Sequence, residues 1–239
     1  MAIAAKKYSV TLLITAALIL YVTGCLGEDK GMERDMTGMT QAGQVADFWS
    51  WFQANEADFP STTEFHAAYG SELSARLSEL KQGIVYEIAI PDDGRKELVI
   101  SADGIKELIP FVQEVVDAAP SMDTWTIHAF RPRMDNYADF DLNFDEYSFE
   151  PKKIWCWSRI EDGHFDLIIY HPNYTDERRD LLVNGTYILL DMALGEYDVM
   201  TGVRYIDHQK LPEDPESAGL YRFENLRVVF DEYKSSITH

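Results

Sequence analysis

The chain has 239 residues, 46% of them apolar and 13% aromatic, so it can bury a core and is not globally disordered. Its 41 Asp and Glu outweigh 21 Lys and Arg, giving a net charge of −20. A body this acidic repels phosphate backbones, which speaks against nucleic acid as a partner, and it repels anionic lipid unless it is tethered.

The first seven residues, MAIAAKK, carry Lys6 and Lys7, and Tyr8 to Gly24 carries no charge. This is the layout of a secretory signal. It ends in Val22-Thr23-Gly24-Cys25, which resembles the bacterial lipobox. The resemblance implies a signal peptide over 1–24, cleavage between Gly24 and Cys25, and diacylglycerol on the Cys25 thiol. An acyl chain such as palmitate would follow on the new amine. The chain would then be a lipoprotein of the bacterial cell envelope, held on the lipid bilayer through Cys25 and facing outside the cytoplasm. Several acyl chains anchor stably where a single one is marginal. Leu26 in place of Asp is not the inner-membrane retention signal of enteric lipoproteins, which leaves inner and outer membrane both open. Two alternatives stand. One is an uncleaved helix from Tyr8 to Gly27, long enough to span a bilayer at about 20 residues. The other is a cytoplasmic chain whose first residues are an anchor or a misassigned start. No cofactor is expected beyond the covalent lipid.

Residues 25–44 read as the lipidated Cys and a flexible tether, since Leu26 to Gln44 shows no helix or strand period. It would reach at most about 60 Å. A single α+β domain over 45–239 is expected to follow, with two leading helices. In the first, Phe48, Trp51, Phe52 and Phe59 share a stripe. The second opens at a capping box, Ser61 with Glu64, and continues through Phe65, Tyr69, Leu73, Leu77 and Leu80.

The remainder repeats a pattern. Over about 83–133 come IVYEIAI, a turn containing Asp93-Gly94, KELVISA, a helix containing Pro110, and the strand DTWTIHAF. Pro110 either kinks that helix or starts its main part. Over about 152–209 come KKIWCWSRI, a turn at Asp162-Gly163, FDLIIYH, a helix from Thr175 to Gly195, and TGVRYIDHQ. Two strand-hairpin-helix-strand halves predict an α+β fold with one mixed sheet backed by helices. Between them lies RPRMDNYADFDLNFDEYSFEP. The loop PEDPESAG and a strand-plus-helix or helix end the chain, with Leu226, Val229, Phe230 and Tyr233 on one side.

Few residues converge on a chemistry. Asp139, Asp141, Asn143, Asp145 and Glu150 have the spacing of an EF-hand calcium loop, but Phe144 stands where that loop needs Gly. Phe140, Leu142 and Phe144 alternate with the acids, so a half-buried strand is the expectation and no metal site is assigned. His164 and Asp166 share one face of a strand and His171 the other, with His128 and His208 in the third strands of their halves. Arg131 and Arg133 could clamp an anion but are expected to pair with Asp135, Asp139 or Asp141. Cys156 reads as a small buried hydrophobe without a disulfide partner. No nucleophile elbow, phosphate loop, dinucleotide fingerprint or zinc-protease helix is present in the sequence.

The stretch from FWSWF through ELVISADGIKELIPFVQEVVDAAPSMDTWTIHAFRPR to LLDMALGEYDV is similar to a bacterial protein family of unknown function, over most of Phe48 to Asp207. The resemblance carries no catalytic residues across. The expected role is binding or scaffolding at the envelope, toward a protein or small-molecule partner. The alternative is an envelope enzyme of hydrolase type, its His and carboxylate groups converging only in the fold.

Overall fold

A computed structural model of the chain describes residues 39–56, 59, 69–89, 95–144 and 147–237. The signal, Gly24, Cys25, the Ser61–Glu64 capping box, the Asp93-Gly94 turn and Asp145 lie outside the described residues. The chain divides into two compact units, one of residues to Ile100 with Phe111–Ile127, the other of Ser101–Pro110 and His128–His239.

In the first unit, helix α1 spans Gln41–Asn55. Its start corrects the expectation that order begins at Val45. Thr40 is the N-cap, its hydroxyl oxygen accepting from the Gly43 N–H at 3.2 Å. Capping satisfies orphan donors without any apolar period, so hydrophobic spacing does not register this first turn. Helix α2, Gly70–Leu80, packs against α1 and buries Leu73, Leu77 and Leu80. On α1 the buried residues are Val45, Phe48, Trp49 and Phe52. Trp49 falls off the expected stripe, and its indole N–H donates to the Val115 carbonyl at 2.8 Å. Trp51 is only half-buried, covered by the Arg76 guanidinium 4.1 Å from its ring centroid.

Strands β1 (Val85–Ala89), β2 (Lys96–Ser101) and β3 (Trp125–Ala129) form a sheet in that order. The link from β2 to β3 holds a 3₁₀ turn, Lys106–Leu108, and helix α3, Ile109–Asp117. Pro110 sits in the first turn of α3, where no N–H is needed, so it starts the helix and does not kink it.

The second unit opens with a hairpin of β4 (Leu142–Phe144) and β5 (Tyr147–Phe149). Strands β6 (Trp155–Glu161) and β7 (His164–His171) pair antiparallel, Glu161 opposite His164. The two-residue turn between them has φ of +52° at Asp162 and +75° at Gly163, the conformation for which Asp-Gly is suited. Helix α4 (Arg179–Leu194) and the short α5 (Glu196–Gly202) return the chain to β8 (Val203–Lys210), which pairs parallel with β7. Gly195, φ +83°, ends α4 as expected. Strand β9 (Tyr221–Arg222) pairs with β6, and α6 (Leu226–Ile237) closes the unit with Leu226, Phe230 and Tyr233 buried. The four-stranded sheet runs β8-β7-β6-β9.

The α+β class is thus as expected, and each half keeps the order first, second, third strand. The expected single mixed sheet is corrected: among the described residues the strands form a three-stranded, a two-stranded and a four-stranded sheet. Each crossover lays its third strand beside the second, so the three strands of each half pair with one another, and β9 from beyond the second half adds to its sheet. Side-chain periodicity identifies strands but says nothing about which backbone edges pair.

Phe165, Leu167 and Ile169 of β7 are fully buried, and Phe165 meets Phe230 of α6 edge to face at 5.2 Å. Phe149 of β5 is seated on Gly185 of α4, where a Cβ would fall 2.2 Å from the Phe149 ring. Gly185→Ala is therefore expected to destabilise by about 2 kcal/mol, overpacking outweighing the gain of about 1 kcal/mol in helix propensity. The added substitution Phe149→Leu should recover part of that loss, read as non-additivity in urea unfolding.

Candidate functional site

Along β6, β7 and β8 side chains alternate between two faces of the four-stranded sheet. Cys156, Leu167, Ile169, His171 and His208 point into the core. Burial pushes the Cys156 thiol well up, and it is a free thiol as expected. The opposite face carries Trp155, Trp157, Arg159, Asp166, Ile168, Tyr170 and Tyr205.

On that face Asp166 is 2% exposed, yet ionised. Arg204 donates to both its oxygens, Nε at 2.8 Å and Nη2 at 2.6 Å, and Arg159 Nε donates at 3.1 Å. The Arg204 hydrogen bonds outweigh the cost of burial and, with Arg159, hold the carboxyl at about 2. Beside this cluster the same face forms a shallow depression of about 500 Å³. Trp157, Ile168, Tyr170 and Leu220 supply its apolar surface, with Gln209 and Lys210 at the β8 side.

The histidines sort by face. His164 is exposed at the β6–β7 turn, with Nδ1 2.9 Å from the Asp162 carbonyl oxygen. His128 is half-buried in β3. His171 and His208, 1% and 4% exposed, come together on the core side, with His171 Nε2 3.1 Å from His208 Nδ1. Their ring planes differ by 12° and their centroids lie 5.4 Å apart. The centroid separation exceeds the nitrogen contact by the two ring radii, so the rings lie edge to edge and share one N–H···N hydrogen bond. The Thr186 hydroxyl of α4 is 3.4 Å from His171 Nε2. Burial, with the facing His208, depresses His171 to about 3. Burial also lowers His208 to about 4, Arg179 adding to the effect and Asp207 opposing it. Both imidazoles are neutral at pH 7. A cavity of about 220 Å³ opens onto His171, walled by Tyr147, Phe149, Ile154 and Pro172 and rimmed by Glu150, Lys153 and Asn173.

The candidate calcium residues diverge. Asp139 pairs with Lys152 at 2.5 Å, Glu150 pairs with Lys153 at 2.7 Å, and Asn143 lies in β4 opposite Ser148. Asp141 is exposed just before β4. Among the described residues no three metal-ligating side chains cluster.

Arg131 and Arg133 are paired, but with acids other than those expected. Arg131 meets Asp191 at 3.3 Å and Asp103 at 3.5 Å, and Arg133 meets Asp198 and Asp231, both at 2.8 Å. The acids nearest in sequence lie on the loop and hairpin side, whereas α4, α5 and α6 bring more distant ones to the guanidinium groups. Sequence reasoning missed Glu196 altogether. It is 1% exposed and accepts from the Ser101 hydroxyl and from the Ala102 and Arg131 N–H groups. Only its position after Gly195 marked it.

Among the described residues no helix is long and apolar enough to cross a membrane. Compared with known protein families, curated proteins and solved structures, the chain matches none.

Proposed function

We propose that the protein is a bacterial cell-envelope lipoprotein, anchored through lipidated Cys25, whose folded part binds a partner rather than catalysing a reaction. The observation that carries the binding reading is the depression of about 500 Å³ formed by Trp157, Ile168, Tyr170 and Leu220. Its volume lies in the range of ligand pockets, and apolar and aromatic walls with a few polar groups are what such pockets use. Trp and Tyr are also the residues that concentrate binding energy. The anchor reading rests on the lipobox and its preceding charged and apolar segments.

Two measurements test these parts separately. Labelled palmitate should enter the wild type and place it in the membrane fraction, while Cys25→Ser should lose the label. A wild-type chain found unlabelled in the cytoplasm would refute the anchor. For binding, a photo-crosslinker at residue 168 in cells should give a discrete adduct. The pair Trp157→Ala and Tyr170→Ala should weaken it by about tenfold or more. Equal crosslinking with and without those side chains would refute the groove.

A further inference from the structure

We propose that the cavity floored by His171 takes a small organic monocarboxylate together with one proton. This site is separate from the groove on the open sheet face, lying on the core side of β7 under the β4–β5 hairpin.

Four observations converge on it. The cavity holds about 220 Å³, the share of about seven waters, which suits a small acid with an apolar tail. Phe149, Ile154 and Pro172 offer that tail apolar walls. Lys153 supplies an ammonium at the rim. On the floor, His171 Nε2 is taken up by His208 and Thr186, and no hydrogen bond reaches its Nδ1. The dyad's buried nitrogen without a partner is His208 Nε2, whereas His171 Nδ1 is the nitrogen that the cavity reaches and that an entering ligand can bond.

The proton follows from charge balance, since one neutral tautomer already places an N–H on His171 Nδ1. The neutral pair carries two ring protons, one of them between His171 Nε2 and His208 Nδ1. Adding one proton from solvent puts an N–H on both outer nitrogens, whichever tautomer precedes it. His171 Nδ1–H then donates to the carboxylate, and the only bond formed is N–H. The empty site resists that proton because burial disfavours the charge. The bound anion removes the penalty, so anion and proton enter as a neutral sum. This also answers why a chain of net charge −20 would admit an anion.

Among the described residues, the charged and titratable groups around the dyad leave this balance intact. On β8, Asp207 is matched by Arg179, 3.4 Å away at the start of α4. Toward the hairpin, Glu150 is matched by Lys153 at 2.7 Å, and Tyr147 lines the cavity. Lys210 ends β8, and the next residue, Leu211, donates its N–H to the His171 carbonyl.

The test is calorimetric titration of benzoate into the folded protein at about pH 5.5, 6.5 and 7.5, in buffers of different ionisation heat. The expected result is saturable binding with about one proton taken up per benzoate, and affinity falling by up to tenfold per pH unit. Benzamide should show no proton uptake. His171→Gln should abolish the proton linkage. Because His171 is buried, Lys153→Gln supplies a variant outside the core, its side chain being 62% exposed. It frees the Glu150 charge and should weaken benzoate by about tenfold without moving the thermal midpoint. Absence of saturable binding at the lowest pH, a proton count of zero, or equal affinity in Lys153→Gln would each overturn the proposal.

Discussion

Glu196→Ala is expected to lower the unfolding free energy by about 3–5 kcal/mol, read as a shift in the urea midpoint. One carboxylate oxygen accepts from the Ser101 hydroxyl at 2.8 Å and the Ala102 N–H at 3.1 Å, the other from the Arg131 N–H at 3.0 Å. The Arg131 guanidinium stands 3.8 Å away and the group is the first residue of α5, where a negative charge is favoured. Truncation leaves two backbone donors and the Ser101 hydroxyl without their acceptor, while Arg131 keeps Asp191 and Asp103, and each unsatisfied group costs about 1–3 kcal/mol. Asp103 and Phe130, next to two of the donors, hold positive φ of 48° and 69°, so the same carboxylate secures two strained turns. Glu196→Gln keeps the shape and one acceptor and should cost less than alanine. A Glu196→Ala midpoint within about 1 kcal/mol of wild type would show that the carboxylate is not a structural anchor.

The second large effect is with pH. His171 and His208 titrate near 3 and 4 in the folded chain, below the ordinary value of 6.5. The unfolded chain therefore binds two protons that the folded chain refuses in this window. Stability is complete above about pH 6.5 and is lost as pH falls toward the folded values, at about 1.4 kcal/mol per unit for each imidazole. Between about pH 6.5 and 4.5 the loss amounts to several kcal/mol. Asp166 acts in a lower window, because its folded value of about 2 is below that of an ordinary carboxyl. Its contribution is present above about pH 4 and disappears as pH falls through its folded value. Urea unfolding at several pH values should show the upper slope in wild type and a flatter one in His171→Asn with His208→Gln. The same slope in both proteins would mean that other groups govern acid unfolding.

Much of the fold was legible because local signals carried it. Asp162-Gly163 is a turn pair whose conformational needs are met by those two residues, and it set the β6–β7 register. Thr175 and Gly195 bracketed the α4 segment, and Pro110 marked the start of α3. Where the local signal was weak the reading failed. Helix α5 is seven residues long, and the sequence reading assigns EYDVM to no element and places Thr201 and Gly202 in the strand that follows. Strand β5 is three residues and shows no period on its own. The candidate sites were harder to see. His171 and His208 are 37 positions apart, and only the parallel β7–β8 pairing brings them to one layer. Trp157 and Tyr170 share a face through the β6–β7 register, but the depression also takes Pro212, Ala218 and Leu220 from beyond β8, which no local signal brings to it.

The amino-acid sequence alone determined the α+β class, the order of elements within each half, the faces of β7, and the burial of Cys156. These follow from interactions within about ten residues, where side-chain period, capping and turn chemistry act directly. Tertiary structure alone decided that the strands divide between sheets, that Arg131 and Arg133 find acids on α4, α5 and α6, and that two imidazoles become neutral by sharing a dry site. Those outcomes depend on desolvation and on charges brought together from distant positions. Neither is a property of any local stretch of chain, because burial exists only once the layers have packed.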